Sequence, residues 1–549
     1  MIVDNLKKHL FYQIFLIFAF CLIENPHAMA KQFNITGSCN PERHYMVDSQ
    51  ERFLRIKKMI DAGDYFTINR GRQFGKTTTL NMIWRQLSDQ YLVIPLSFEG
   101  IGDTPFSDAS SFTSTFCSMI HRYLVQTGID EQYSAILDKP SASSFDELSE
   151  TLTNFCKTFP KPIVLMIDEV DKSSDNQLFL SFIGMLRSKY LERENGLGST
   201  FHSVILAGVY DIKNLKIKLR PDEEKKYNSP WNIATDFNVD MSFSAKEIAQ
   251  MLTEYENDYH TGMDILSNSE EIYKFTSGYP FLVSKICKVI DEELDKDWNP
   301  NGVMRAVKLI VDQKNTLFDS LTKNLENDKA FKDFIYAISM LDASITFTFS
   351  NPLIEMGNMF SYIKRGPDNN VMMHNLIFEE VVHNHFVAEE LIASQAKFTP
   401  YNDKSQYVHH QRLDMEQVIR RFADFLHEEF RKEDVNFLEQ QGRLLFLSFL
   451  KPIINGTGSY YVEPQTRNNK RMDLIVNYNN EEFVVELKIW RGQKYEEKGK
   501  EQLAEYLTIR GLEKGYLVTF DFSNKQRNSD INPPTRIIYK GKQIFEAII

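Results

Sequence analysis

Two stretches of this chain collect the residue types that handle phosphate. The first is Arg70-Gly71-Arg72-Gln73-Phe74-Gly75-Lys76-Thr77-Thr78, set between a short apolar run, Asp64–Asn69, and a segment with helical character, Leu80–Trp84. A strand, then a glycine-bearing loop with Gly-Lys-Thr, then a helix lets backbone N–H groups and a helix N-terminus converge on a polyphosphate. Gly71, Gly75, Lys76, Thr77 and Thr78 are therefore the nucleotide-binding candidates. Lys76 is expected to bridge the β- and γ-phosphates, and the Thr77 hydroxyl to hold Mg²⁺. The usual spacing has a glycine five residues before Gly75; Arg70 stands there, and Gly71 follows one place later. Downstream, Pro162–Ile167 is an unbroken apolar run, suited to a central parallel strand buried on both faces, and it ends in Asp168-Glu169. Carboxylates at the C-terminal edge of such a strand sit where open α/β sheets bind ligands. Asp168 is expected to support Mg²⁺, and Glu169 to orient or activate an attacking water.

The second stretch is Arg471–Trp490, which reads as two strands around a turn at Asn479-Asn480, a pair that tolerates positive φ. In that register Asp473 stands opposite Glu486, and Lys488, two residues on, shares the face of Glu486. An Asp, a Glu and a Lys then meet inside an otherwise apolar ribbon. Burying such a trio is costly unless the charges are matched or a cation binds. Asp473 and Glu486 are oxygen ligands of the kind Mg²⁺ takes. A metal-acidified water positioned by Lys488 is suited to attack a phosphodiester, or Lys488 stabilises the charge that develops there.

The elements around these residues suit their roles. Tyr91–Ser97 and Ser203–Ala207 read as further strands of the first sheet, with Phe237–Ser242 as its last. Helical segments Phe112–Gln126 and Asn176–Glu192 lie between the strands, and the alternation predicts a parallel sheet. Ser244–Tyr259 and Ser269–Phe275 have helical spacing, and Gly278 and Pro280 mark a turn and a helix start. Ala330–Ser339, Pro352–Met356, a hairpin around Gly366–Asn370 and a helix Ile377–Phe386 follow in winged-helix order. With Lys364 and Arg365 the only basic residues near its recognition segment, that unit is read as a protein contact. His374, His383 and His385 lack metal-ligand spacing and are read as core or surface histidines.

Arg-Gln-Phe-Gly-Lys-Thr-Thr, Ile167-Asp-Glu-Val-Asp171 and Ser229-Pro-Trp-Asn-Ile-Ala234 together resemble the AAA-like ATPases of bacteria, relatives of the STAND and AAA+ groups of P-loop ATPases, over about residues 33–290. The resemblance implies a helical lid and a polar γ-phosphate sensor near Tyr210 and Asp211; Arg220 is an arginine-finger position by location alone. Asp473 and Glu486-Leu-Lys488 resemble the motifs of the PD-(D/E)XK nuclease superfamily, over about residues 411–525, with Met472 where a proline usually precedes the first acid. That resemblance implies an upstream helical acid, for which Glu439 is the candidate and Glu428, Glu429 and Glu433 are rivals. It also implies a polar residue on the following helix: Gln502, with Tyr506 one turn on. Arg467, Lys470, Arg471, Arg491, Lys494, Lys498 and Lys500, with Tyr460, Tyr461, Trp490 and Tyr495, form either a phosphate track with stacking surfaces or ordinary solvated loops.

Composition sets the frame. A net charge of −12 gives no bulk sign of nucleic-acid binding, but residues 401–549 sum to about +1, so such a site is expected in the last third. Five cysteines, Cys21, Cys39, Cys117, Cys156 and Cys287, without CxxC spacing read as reduced thiols. Lys7-Lys8, the apolar run Leu10–Ile23 and Ala28-Met29-Ala30 match a secretory signal too short to span a bilayer; the other reading takes Met29 as the start. Because the chain looks built to use ATP, the second reading and a cytoplasmic location are preferred, with export the alternative.

The expected fold is α/β: a P-loop parallel sheet with a helical lid and a winged-helix region, then a separate restriction-endonuclease-like domain with a mixed sheet. The expected boundaries are residues 1–30 for the extension, 31–243 for the ATPase core, 244–325 for the lid, 326–400 for the winged-helix-like region and 401–549 for the nuclease-like domain. The expected function is an ATP-hydrolysing switch coupled to a Mg²⁺-dependent nuclease acting on DNA or RNA. The alternative is a nucleotide-dependent regulator whose C-terminal domain binds nucleic acid or protein without cutting. No stable membrane span is expected, and homo-oligomerisation is left open.

Overall fold

The computed structural model describes residues 31–549 apart from 138–142, 171–176, 210–230, 232, 342, 402, 430–434, 463–472, 480, 490–492 and 521–533; of 395–396, 435–440, 462, 473, 489 and 493–496 it describes the backbone course alone. The signal-like extension, Tyr210, Asp211, Arg220, Glu433, Arg467, Lys470, Arg471, Trp490 and Arg491 therefore lie outside the described residues.

Four parallel strands, β1 (Tyr65–Asn69), β2 (Leu92–Ser97), β3 (Ile163–Asp168) and β4 (Ser203–Gly208), form the first sheet in the order β1-β4-β3-β2. Their apolar runs are buried on both faces: Phe66, Ile68, Val164, Met166, Ile205 and Ala207 join one core, and Tyr65, Ile94, Leu165, Ile167, Val204 and Leu206 the other. The segment Phe237–Ser242 is not a strand. Its Phe237, Val239 and Met241 alternate inward as a strand's would, but its carbonyls go to guanidinium groups. Arg55 donates to Asn238 O at 2.9 Å and Arg70 to Val239 O at 3.0 Å, in place of a ladder with β1.

Helices Ala245–Tyr259, Ile265–Thr276, Pro280–Glu293 and Pro300–Asp312 follow, the first begun by a capping box of Ser244 and Glu247. Further helices, Thr316–Asn327, Lys329–Ser339 and Pro352–Met359, lead into a two-stranded hairpin, β5 (Ile363–Arg365) and β6 (Val371–Met373), and then helix Leu376–Ala393. This is the order of helices, hairpin and helix anticipated from the sequence. A short pair, β7 (Val408–His409) and β8 (Arg412–Leu413), precedes the last region.

There, β9 (Gly458–Val462), β10 (Asp473–Tyr478), β11 (Glu481–Ile489), β12 (Lys514–Phe520), β13 (Thr535–Tyr539) and β14 (Lys542–Ile548) form a mixed sheet in the order β13-β14-β12-β11-β10-β9. Strands β11, β12 and β14 are parallel, whereas β9, β10 and β13 run antiparallel to their neighbours. Phe520 meets Gly442 and Phe422, and Arg420 stacks on Phe545, so helices Met415–Glu429 and Val435–Ile454 cover one face. Gly499 of helix Gln493–Arg510 lies against Lys488 and Leu517 on the other face. No described helix is long and apolar enough to cross a membrane.

One buried acid marks the joint between these regions. Glu380 of helix Leu376–Ala393 is buried, and Lys308 and Asp312 of helix Pro300–Asp312 and Lys451 of helix Val435–Ile454 act on its charge. Burial pushes its carboxyl up to about 8, with Lys451 opposing, Asp312 adding and Lys308 opposing. The folded chain thus holds the protonated acid that an unfolded chain would have released. Stability is lost as pH rises from the ordinary carboxylate range through that folded value. Glutamine imitates the protonated form. Glu380→Gln should melt close to wild type near about pH 5 and above it near about pH 9, as read by thermal melts across pH. A constant offset at all pH values would show that the acid does not titrate with folding.

Candidate functional site

The phosphate loop is held from several sides. Gln73 and Gly75 have φ of 56° and 83°, so the loop rises in the left-handed region before helix Lys76–Leu87 begins. Lys76 is buried and donates to the carbonyls of Arg70 at 3.0 Å and Gly71 at 3.1 Å. The Thr77 hydroxyl donates to Asp168 Oδ2 at 2.7 Å, which joins the two expected Mg²⁺ ligands across the loop and the end of β3. The other Asp168 oxygen accepts from Glu169 N at 2.9 Å, and Glu169 turns the chain off the strand with φ of 56°. The Thr78 hydroxyl accepts from Cys39 N at 3.2 Å, tying the segment before the first helix to the loop. A hydroxyl and a carboxylate in hydrogen-bond contact, beside a lysine seated on loop carbonyls, is a donor set that fits Mg²⁺ and a polyphosphate.

Arg70, the departure from the usual spacing, has a role that composition does not reveal. Its guanidinium stacks on Phe237 at 5.5 Å and donates to Asn69 O at 2.9 Å and Val239 O at 3.0 Å. Burial holds it below the usual arginine range, opposed by Asp240. The side chain thus points into the neighbouring segment and does not crowd the cradle.

The helix-and-hairpin unit reaches the loop directly. Gly71 N donates to Ser361 Oγ at 3.3 Å, and a Cβ on Gly71 would stand 2.6 Å from Phe360 O. Only glycine permits that approach. Ser361 itself has φ of 60°. The Tyr279 hydroxyl donates to Arg72 O. Phe74, at the centre of the loop, packs edge-on to Tyr279 at 4.7 Å and to His374 at 5.9 Å, and Tyr279 meets Phe378 at 5.2 Å. Burial, aided by Lys364, pushes His374 down to about 3, so the ring is neutral. Lys364 donates to Ser277 Oγ at 2.7 Å, and burial lowers it to about 8, opposed by Asp240 and Glu379.

The C-terminal site follows from strand register. Asp473 pairs with Glu486, as the turn predicted; Glu486 pairs with Leu517 and Lys488 with Thr519. Glu486 forms an ion pair with Lys488, their side chains 2% and 21% exposed. A carboxylate this deeply buried beside an ammonium, with Asp473 at the paired position of the next strand, fits a small hard cation; the Asp473 side chain lies outside the described residues. Gln502 is half-buried on the covering helix, three residues after Gly499, whose Cβ position is 3.7 Å from Lys488 Cε. Tyr506, one turn on, accepts from Arg510 Nε at 2.9 Å, and Arg510 also donates to the Tyr461 hydroxyl at 3.1 Å. That pair serves the β9 side of the sheet. The helix carrying Glu439 lies on the face opposite Glu486, so the backbone brings this residue towards the site only around the strand ends; its side chain is outside the described residues. Of its rivals, Glu428 accepts from the Tyr401 hydroxyl.

Residues 40–299 match the family model of the AAA-like domain, and residues 459–531 match that of the PD-(D/E)XK nuclease superfamily. Among solved structures, a Walker-type ATPase of Pyrococcus abyssi is similar at 13% identity, covering 64% of this chain and 99% of that one, with a TM-score of 0.45. The ORC2 protein of Aeropyrum pernix in ADPNP–ADP complexes is similar at 14% identity over 65% and 96%, with a TM-score of 0.37. The RuvB Holliday junction branch migration motor of Thermotoga maritima is similar at 14% identity over 62% and 96%, with a TM-score of 0.31. No curated protein matches the chain.

The Glu486–Lys488 pair can be tested without any assay of activity. Glu486→Ala strands Lys488 against apolar strands and should cost roughly 2–4 kcal/mol, reduced from the fully buried case because the ammonium keeps some exposure. Glu486→Leu combined with Lys488→Met removes both charges and should recover most of that loss. Urea unfolding of Glu486→Leu, Lys488→Met and the double variant measures the coupling. Additive losses would mean that the two charges do not depend on each other.

Proposed function

We propose that this chain, which joins an AAA-like domain to a domain of the PD-(D/E)XK nuclease superfamily, is an ATP-hydrolysing switch that controls Mg²⁺-dependent cleavage of DNA or RNA. The observation that carries the proposal is the hydrogen bond from Gly71 N to Ser361 Oγ. Through it the phosphate loop touches the unit whose last helix, Leu376–Ala393, packs against the C-terminal region. Asn384 of that helix accepts from the Tyr460 hydroxyl of β9 at 3.3 Å. Arg443 donates to Ser339 O at 2.9 Å, and Phe275 meets Tyr461 at 5.5 Å. A change at the loop therefore has a packed route to the second sheet.

In the nucleotide site, Lys76 exchanges the carbonyls of Arg70 and Gly71 for phosphate oxygens. Thr77 and Asp168 hold Mg²⁺, and Glu169 orients the attacking water. Gly71, Gly75 and Thr78 shape the loop around the phosphates. Freeing the carbonyl of Gly71 alters the loop where Ser361 is anchored, and the helix-and-hairpin unit then shifts. In the C-terminal site Asp473 and Glu486, with Glu439 as a further ligand, hold Mg²⁺, which when bound supplies an acidified water. Lys488 leaves Glu486 to meet the phosphodiester, and Gln502 addresses the substrate or the water. The net charge of the last third and its lysines favour nucleic acid over protein as the substrate. The demand for ATP favours a cytoplasmic location.

Plasmid and single-stranded DNA and RNA incubated with Mg²⁺ or Mn²⁺, with and without ATP, test this reading. Cleavage should require a divalent cation and fall by at least about a hundredfold in Lys488→Ala and Glu486→Ala. Lys76→Ala should abolish the ATP response. Ser361→Gly keeps the left-handed backbone but removes the hydroxyl, and should make cleavage less dependent on ATP. Binding of nucleic acid with no cleavage under any condition would leave a nucleotide-dependent regulator in place of a nuclease.

A further inference from the structure

The acidic row does not stop at Glu486. Leu517, its partner on β12, pairs in turn with Glu546 on β14, so Asp473, Glu486, Leu517 and Glu546 occupy one line across four neighbouring strands. Paired positions in neighbouring strands share a face, which puts Glu546 on the face of Glu486 and Lys488, under helix Gln493–Arg510. Glu546 is buried there and forms an ion pair with Lys500 of that helix at 2.9 Å, their side chains 8% and 15% exposed. Phe545, the preceding residue, faces the opposite side, against Arg420.

The face thus carries two lysine–carboxylate pairs of the same design, Lys488 on Glu486 and Lys500 on Glu546. Apolar residues of similar volume would join the helix to the sheet at least as stably as a second buried ion pair. Leu503 and Leu507 already do so from the same helix. Phosphate oxygens accept from an ammonium as carboxylate oxygens do, so the two compete for the same group. Strands β11 and β14 are two spacings apart, about 10 Å. A single nucleic-acid strand crossing the C-terminal ends of β11, β12 and β14 would meet both ammonium groups within a few nucleotides.

We infer that Lys500, held in place by Glu546, is a second phosphate-binding cation of this face: it grips the backbone of the bound strand beside the phosphodiester that Lys488 addresses. Lys500 contacts substrate, and Glu546 is its positioning residue. The inference rests on the nuclease reading of the same face, and it adds a residue outside the Asp473 and Glu486-Leu-Lys488 motifs.

The test uses the full chain with Ca²⁺ in place of Mg²⁺, to hold off cleavage. Binding of a fluorescein-labelled single-stranded DNA, and of an RNA of the same sequence, is followed by anisotropy across a salt series. Loss of one phosphate contact should make the slope of log affinity against log salt shallower by about 0.7 in Lys500→Met, with weaker binding at low salt. Lys500→Arg should keep the wild-type slope. Glu546→Gln should weaken binding several-fold, because the ammonium is no longer held. Lys500→Met combined with Glu546→Met leaves no charge unpaired, and its thermal melt shows whether the fold survives; it should show the same shallower slope. If wild type binds and both methionine variants keep its slope, Lys500 only joins the helix to the sheet and this inference fails alone. If wild type binds neither strand, the nuclease reading fails with it.

Discussion

An ammonium group taken out of water must be given oxygens, and this chain meets that demand repeatedly, within its domains and between them. Lys76 sits on two carbonyls of its own loop, Lys364 on the Ser277 hydroxyl, Lys488 on Glu486 and Lys500 on Glu546. Lys189 does the same within the first domain, on Ser149 O at 2.9 Å and the Thr153 hydroxyl at 2.6 Å. In the two candidate sites the seat has a consequence. Phosphate oxygens would compete directly with the carbonyls and carboxylate that hold Lys76 and Lys488, so a phosphate ligand at either place would have to rearrange those contacts. The same chemistry that stabilises the resting arrangement is what a ligand would use.

Much of the two sheets was legible because burial on both faces leaves a mark on the sequence. The strands of the first sheet are unbroken apolar runs, and Asp168 stands at the end of one of them. The register of Asp473 and Glu486 could be read because a two-residue turn with Asn at positive φ permits one pairing; Asn479 has φ of 47°. What was not legible depends on contacts between distant segments. Phe237, Val239 and Met241 alternate like a strand, yet Arg55 and Arg70 take the carbonyls that a strand would need. Arg70 looked like a defect in the phosphate loop because spacing says nothing about where a guanidinium turns. The seat of Ser361 on Gly71 involves one hydroxyl and one N–H and has no periodic signature. Glu546 stands three residues from the end of the chain, outside the matched motif, and only the order of β11, β12 and β14 brings it to the face of Glu486.

The link between the regions is a matter of packing as well as hydrogen bonds. Helix Leu376–Ala393 is 18 residues long, and its contacts are spread along its length. Near its start Phe378 meets Tyr279, whose ring also packs on Phe74 of the phosphate loop. Further along, His383 lies 3.2 Å from Ser339 O, and Asn384 accepts from Tyr460 of the second sheet. Between these points lies Glu380, with charged groups of helix Pro300–Asp312 and of helix Val435–Ile454 acting on it. Interiors are close-packed, so an aromatic ring such as Phe74 cannot change place without moving the rings that bracket it. A displacement of Phe74 would press on Tyr279 and through it on Phe378, at the start of the helix whose Asn384 meets Tyr460 of β9. The aromatic cluster of Phe74, Tyr279, His374 and Phe378 thus packs the phosphate loop onto the same helix that meets the second sheet.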